Sequence, residues 1–238
     1  MVYYSNLDMT NYFYNGDSRM ADIITRHVEL IEMLPRFGIS LGFGDLTVNE
    51  VCKKWNVDVD FFLLICNVYS FRDFVPTDDV VNNTDMTQLV PYLKASHSYY
   101  VSKRLPHIQG HLHHIAEKLP HKVASVFLRF FELYKNEVEA HFRSEETTLF
   151  PLIQKIVSGE HDAGLHISSF NDVHQDIEDK LQDLTQIIFK YLPETIADDD
   201  TTDVVTDLLL LARDLHKHSL IEEKILVPFV RHLGKDIS

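Results

Sequence analysis

The chain has 238 residues, 45% of them hydrophobic, and a formal net charge of −14 at pH 7. That length suits one domain of moderate size or a small one joined to a larger one, and the acidic balance argues against a nucleic-acid or anionic-membrane surface. No apolar run is long enough to span a bilayer, and the amino terminus Met-Val-Tyr-Tyr-Ser-Asn lacks the basic-then-apolar layout of a secretory signal.

With 8 Gly and 8 Pro the chain is expected to form long regular elements. Cys52 and Cys66 show no metal-type spacing and read as reduced thiols of a cytoplasmic protein.

Residues 1–80 are predicted to form a small helical domain. Asp17 or Ser18 can cap a helix running to about Arg36, with Met20, Ile23, Ile24, Val28, Ile31 and Leu34 at helical spacing. Gly38-Ile-Ser-Leu-Gly42-Phe-Gly44 is a turn. Thr47 and Glu50 form a capping box that opens a short helix through Trp55. Asp58 can cap a third helix carrying Phe61, Leu63, Leu64 and Val68. The polar stretch from Thr77 to Asp85 reads as a linker.

Residues 81–238 show four long amphipathic segments and no strand pattern, which predicts an all-α, up-down-up-down four-helix bundle. The first segment carries Leu89, Leu93, His97, Val101, Leu105, Ile108, Leu112 and Ile115, with Pro91 in its early turns. The second runs from near His121 to Val157, with Phe127, Phe131, Val138, His141, Glu145, Leu149 and Leu152 on one stripe. The third carries Phe170, Val173, His174, Ile177, Leu181, Leu184 and Ile188. The fourth carries Leu208, Leu211, Leu215, His218, Glu222, Ile225 and Phe229.

A histidine and a glutamate on a core-facing stripe need a partner, because unpaired charge is costly to bury. The pattern also occurs twice. His218, Glu222, Glu223, Leu226 and Pro228 follow His141, Glu145, Glu146, Leu149 and Pro151 at a constant offset, and the same offset carries His97 onto His174. Antiparallel residues lie level when the turn sits midway between them. The midpoints fall at Leu119-Pro120, at Val157-Ser158-Gly159 and in the Pro193 to Thr201 loop, so the four histidines are predicted at one height. Glu145 and Glu222 follow one turn on, about 6 Å along the axis.

One His-x-x-x-Glu pair on a helix means little by itself. Six such residues on four apolar stripes at one level predict a dinuclear metal site of His97, His141, Glu145, His174, His218 and Glu222. Four imidazole nitrogens and two carboxylates suit iron, with manganese and zinc as weaker options. If both glutamates bridge, each metal gains two nitrogens and two oxygens, an oxo or hydroxo bridge adds another donor, and one position stays open. The ferritin-like Glu-x-x-His pattern and the HExxH protease pattern are absent from these positions. Glu146, Glu223 and Tyr100 are candidates to orient the ligating histidines or line the pocket. The row His107, His111 and His114 reads as a solvated face.

These residues resemble the hemerythrin-like proteins, specifically the iron–sulfur cluster repair di-iron proteins of the Repair of Iron Centres or ScdA-like family. The resemblance rests on His141-x-x-x-Glu145-Glu146-x-x-Leu-Phe-Pro151, on His218-x-x-x-Glu222-Glu223-x-x-Leu-x-Pro228, and on the order and spacing of His97 and His174. It implies two non-haem irons and repair or protection of damaged iron–sulfur proteins under nitrosative or oxidative stress. Iron donation or handling of nitric oxide would be the means. An oxygen, nitric oxide or iron binding or sensing module is the alternative it leaves. Whether the chain is an enzyme, and whether it forms a homodimer, stay open. The family's leading domain carries a Cys-Cys pair after Gly-Ile, where this chain has Gly38-Ile39-Ser40-Leu41 and then Gly42-Phe43-Gly44. Thiol chemistry in that turn is therefore not expected.

Overall fold

The computed structural model describes residues 14–71, 74–157, 170–192 and 199–235. Among them the fold is all-α, and the lone extended pairing is an isolated antiparallel bridge between Arg19 and Thr47. None of the described helices is long and apolar enough to cross a membrane. Two compact units emerge. One joins the residues up to Ser96 with those from Leu220 onward, and the other is His97–Ser219.

The first unit opens with α1 (Met20–Arg26) and α2 (Leu30–Met33), followed by a 3-10 turn at Leu34–Phe37. The single helix expected as far as Arg36 is thus broken at His27, whose N–H still bonds the Ile23 carbonyl. Periodicity misled here because Val28 and Ile31 continue the stripe of α1, yet both are exposed. The core takes Leu30, Met33 and Leu34 instead. Neither Asp17 nor Ser18 caps α1; the N-cap is Arg19, without a side-chain cap bond.

The next elements follow their caps. Gly38, Gly42 and Gly44 have φ of 70°, 96° and 59°, left-handed values that glycine adopts without a Cβ penalty. The Thr47–Glu50 box is formed, with Thr47 N–H donating to Glu50 Oε2 at 2.8 Å, and starts α3 (Val48–Trp55). Asp58 caps α4 (Val59–Ser70) through the Phe61 N–H at 2.8 Å. Helix α4 is buried from Phe61 to Tyr69 and is the central element of the unit. The stretch taken as a linker contains α5 (Asp78–Asn83), capped by Thr77 and anchored by buried Val81. Its acidic first turn hid the helix from hydropathy, although Asp there favours an N-terminus. Helix α5 packs against the last helix of the chain, α12 (Val227–Lys235).

The long helices are α6 (Leu89–Tyr99) continuing into α7 (Leu105–Glu117), α8 (His121–Ser144) continuing into α9 (Phe150–Val157), α10 (Phe170–Tyr191), and α11 (Asp199–Ile221) continuing into α12. In the second unit their inner faces supply Ile108 and Leu112, Phe127 and Phe131, Leu181 and Leu184, and Leu208 and Leu211 to one core. Polar pairs along the seams show which helices are neighbours. Gln109 donates to Glu132 at 2.9 Å, Lys180 pairs with Glu137 at 2.8 Å, His216 lies 3.2 Å from Glu178, and Arg104 lies 3.3 Å from Asp207. Such surface pairs contribute little energy, but they fix which helix meets which.

Within that core the Tyr134 hydroxyl is buried without a hydrogen-bond partner among the described residues, and burial together with Glu178 and Glu137 raises its pKa. An unsatisfied buried hydroxyl costs about 1–3 kcal/mol. Tyr134→Phe keeps the ring and removes the cost, so thermal unfolding of the variant should shift upward. A lower melting temperature would mean that the hydroxyl is satisfied in solution.

Three joints between these helices are π turns. They occupy Tyr100–Arg104, Glu145–Leu149 and Glu222–Leu226, and at each the following residue's N–H bonds the carbonyl five residues back. The cause is readable. Pro106, Pro151 and Pro228 each stand second in the next helix. A proline inside an α-helix clashes with the carbonyl four residues earlier. Widening the preceding turn by one residue relieves the clash, and such turns are frequent at functional sites. The extra residue also moves the buried stripe. Phe150 and Ile153 are buried where Leu149 and Leu152 were expected, Tyr100 is buried in place of Val101, and Val230 in place of Phe229.

Candidate metal centre

Each proposed ligand is placed by its helix. His97 lies near the end of α6, His141 and Glu145 at the α8 junction with its π turn, His174 in the early part of α10, and His218 near the end of α11. Both His-x-x-x-Glu motifs end on the first residue of a π turn. Side chains of His97, Glu145, His174 and His218 are buried, and His141 is nearly so.

Glu145 is the centre of the arrangement. Its Oε2 lies 3.3 Å from His97 Nε2, while its Oε1 lies 3.3 Å from His141 Nε2 and 3.6 Å from His174 Nε2. The histidines form two couples. His97 and His218 bring their Nε2 atoms to 3.1 Å, and the rings of His141 and His174 stand 4.8 Å apart, edge to face. One carboxylate oxygen therefore addresses each couple. Glu222 is fully buried and follows His218 by one helical turn.

The tautomer of His97 is set from outside. Glu146 Oε1 lies 2.9 Å from His97 Nδ1. A carboxylate only accepts, so Nδ1 carries the proton and Nε2 turns a lone pair inward. The ring is stacked on Phe142 at 4.1 Å and on Phe150 at 5.5 Å. Tyr100 stands edge-on to His218 and donates its hydroxyl to the Asp214 carbonyl at 3.2 Å. It packs the site wall, with that hydroxyl directed to backbone. Glu223 is half-buried in the third π turn.

This donor set fits a cation. Both Glu145 oxygens are buried, and among the described residues neither takes a hydrogen bond. They face inward-turned ring nitrogens in an apolar shell, a placement that is costly for a carboxylate without positive charge beside it. The neutral imidazoles and the carboxylate have the chemistry that iron, manganese or zinc accepts. His141, Glu145 and His174 on their own form a group with ligand atoms close enough to share one ion. A second such group in this unit is His107, His111 and Asp207; the sequence reading took the histidine row as a solvated face, and Asp207, on a different helix, was not among its candidates.

The fold and the site define a class. The hemerythrin HHE cation binding domain family matches residues 103–230, and the chain belongs to that family. His97 lies before the matched stretch, so its place beside Glu145 rests on the geometry. The chain is further similar to the iron-sulfur cluster repair protein ScdA of Staphylococcus haemolyticus (strain JCSC1435). The two are 22% identical over 217 residues, which cover 89% of this chain and 96% of that protein.

Proposed function

We propose that the chain is a di-iron protein that repairs or protects iron–sulfur clusters. The observation that carries the reading is Glu145, one oxygen toward His97 and the other toward His141 and His174. A carboxylate so placed would offer one oxygen to an ion at each histidine couple. One iron would be held by His97 and His218, the other by His141 and His174. Glu145 would bridge, and Glu222 would be the second bridge by its place one turn beyond His218. The repair role is supported by the similarity to ScdA across most of both chains.

When bound, the iron pair would supply redox chemistry and an open position for oxygen or nitric oxide. The chain's own residues do the rest. Glu146 holds the proton on His97 Nδ1 and so orients that ring. Phe142 and Phe150 clamp the His97 ring and keep water from it. Thiols contribute nothing. Cys52 and Cys66 are both buried, and burial pushes the Cys52 thiol up to about 12, so neither offers thiolate at neutral pH. Whether repair proceeds by iron donation or by nitric oxide removal is part of the test.

The experiment supplies iron anaerobically, counts metal per chain and records a Mössbauer spectrum. It then incubates the loaded protein with a nitric-oxide-damaged iron–sulfur enzyme. About two irons per chain and recovered client activity are expected. A single metal per chain would end the dinuclear reading. Two irons without recovery would favour a binding or sensing module.

A further inference from the structure

His107 and His111 stand one turn apart on α7, and Asp207 faces them from α11. His107 Nε2 lies 3.2 Å and His111 Nδ1 3.8 Å from the same oxygen, Asp207 Oδ2. The two imidazole rings are 4.4 Å apart. Two ligands of a tetrahedral zinc ion, each bonded at about 2.1 Å, lie about 3.4 Å apart. Both nitrogen-to-oxygen distances are thus near the spacing that one such ion imposes, and the three ligand atoms lie within 4.8 Å of one another.

The carboxylate is held in place for this. Arg104 Nη1 lies 3.3 Å from Asp207 Oδ1, and Arg104 Nη2 donates to the Asp207 backbone carbonyl at 3.3 Å. The guanidinium takes one oxygen and leaves the other turned to the histidines. The Asp207 side chain is 14% exposed, whereas His107 is 53% exposed and His111 31%. The fixed ligand is therefore inside and the two imidazoles reach solvent, which gives an ion a route in. The π turn ending at Arg104 sets the phase of α7 and so brings these side chains over α11.

We infer that His107, His111 and Asp207 form a second, half-exposed site for a divalent transition metal, zinc(II) above all, separate from the buried centre. Two neutral nitrogens and one carboxylate, with the fourth position left to water, are a zinc donor set. Nickel(II) and copper(II) suit the same imidazoles, whereas magnesium and calcium prefer an all-oxygen shell. A bound ion would tie α7 to α11 across a seam otherwise closed by ion pairs. The inference does not depend on what the buried centre does.

The test uses the full chain with its buried centre already loaded with iron. Zinc is titrated calorimetrically at micromolar concentration, and cobalt(II) is titrated in parallel by visible absorption. One further ion per chain is expected, with the intense cobalt bands of a four-coordinate site and a higher melting temperature. His107→Ala/His111→Ala should weaken zinc binding at least tenfold and leave the iron content unchanged. Exposed helix positions tolerate alanine, so that variant should fold; His113→Ala is the control for nonspecific uptake. Equal zinc uptake by the double variant, or none by the parent beyond the buried centre, would overturn the inference.

Discussion

Glu145→Ala should empty the buried centre, with iron per chain falling from about two to nearly none. The carboxylate meets both histidine couples, so on the proposed reading its loss would remove a ligand from each metal together with the group that faces both couples. Glu146→Gln is the graded comparison. Among the described residues its carboxylate is paired with His97, and loss of such an outer partner typically lowers metal affinity by about 10–100-fold. His111→Ala should keep all the iron of the buried centre, because that ring faces Asp207. The measurement is metal analysis after extensive dialysis, with circular dichroism to confirm helicity. If Glu145→Ala keeps two irons while His111→Ala loses them, the centre has been placed on the wrong face.

Removing residues 1–88 should cost more than the small leading module. From the sequence, residues 82–238 look self-sufficient, since all six proposed ligands lie at 97–222. The structure points elsewhere. Helix α5 packs against α12, and the residues from Leu220 onward group with the leading residues. A chain lacking α5 leaves one face of α12 without its packing partner, and Glu222 sits in the π turn that leads into α12. The expected outcome is a folded core at His97–Ser219, loss of hydrogen-exchange protection over 227–235, and fewer irons per chain than the intact protein. Full protection and an intact iron count in the shortened chain would show that α12 holds its place without α5.

Much of the site was legible because it is written in spacing. The offset that relates His97 to His174 and Glu145 to Glu222 needs only counting. Of the turn midpoints, Leu119-Pro120 falls between α7 and α8, while the turns read at Val157-Ser158-Gly159 and at Pro193 to Thr201 lie largely outside the described residues. The four helices were legible because their apolar residues recur at helical period. What escaped the sequence has separate physical causes. At His27 the core chose between two possible stripes, and local periodicity favoured the wrong one. In α5 the only buried anchor is Val81, too weak a signal among acidic and amide residues. At the second and third π turns the stripe moves by one residue, so Leu149, Leu152 and Phe229 looked buried in place of Phe150, Ile153 and Val230. The prolines at 106, 151 and 228 were the available clue. The partner of His107 and His111 could not be seen, because Asp207 is brought to them by packing alone.

The π turns also bear on how this chain can change length. In an ordinary stretch of α-helix, deleting one codon swings everything downstream by about 100° and turns the buried face toward water. Within Glu145–Leu149 or Glu222–Leu226 the outcome differs, since each of these turns holds one residue more than an α-helical turn requires. A deletion there would close the wide turn into an ordinary one and leave Phe150 or Val227 four residues after its glutamate instead of five, still facing the same way. The surplus sits where the proline needs it and beside the two glutamates proposed as ligands. These are therefore the places where a descendant of this gene can lose a codon from a long helix without losing the helix's orientation, and the proline is what would have to mutate with it.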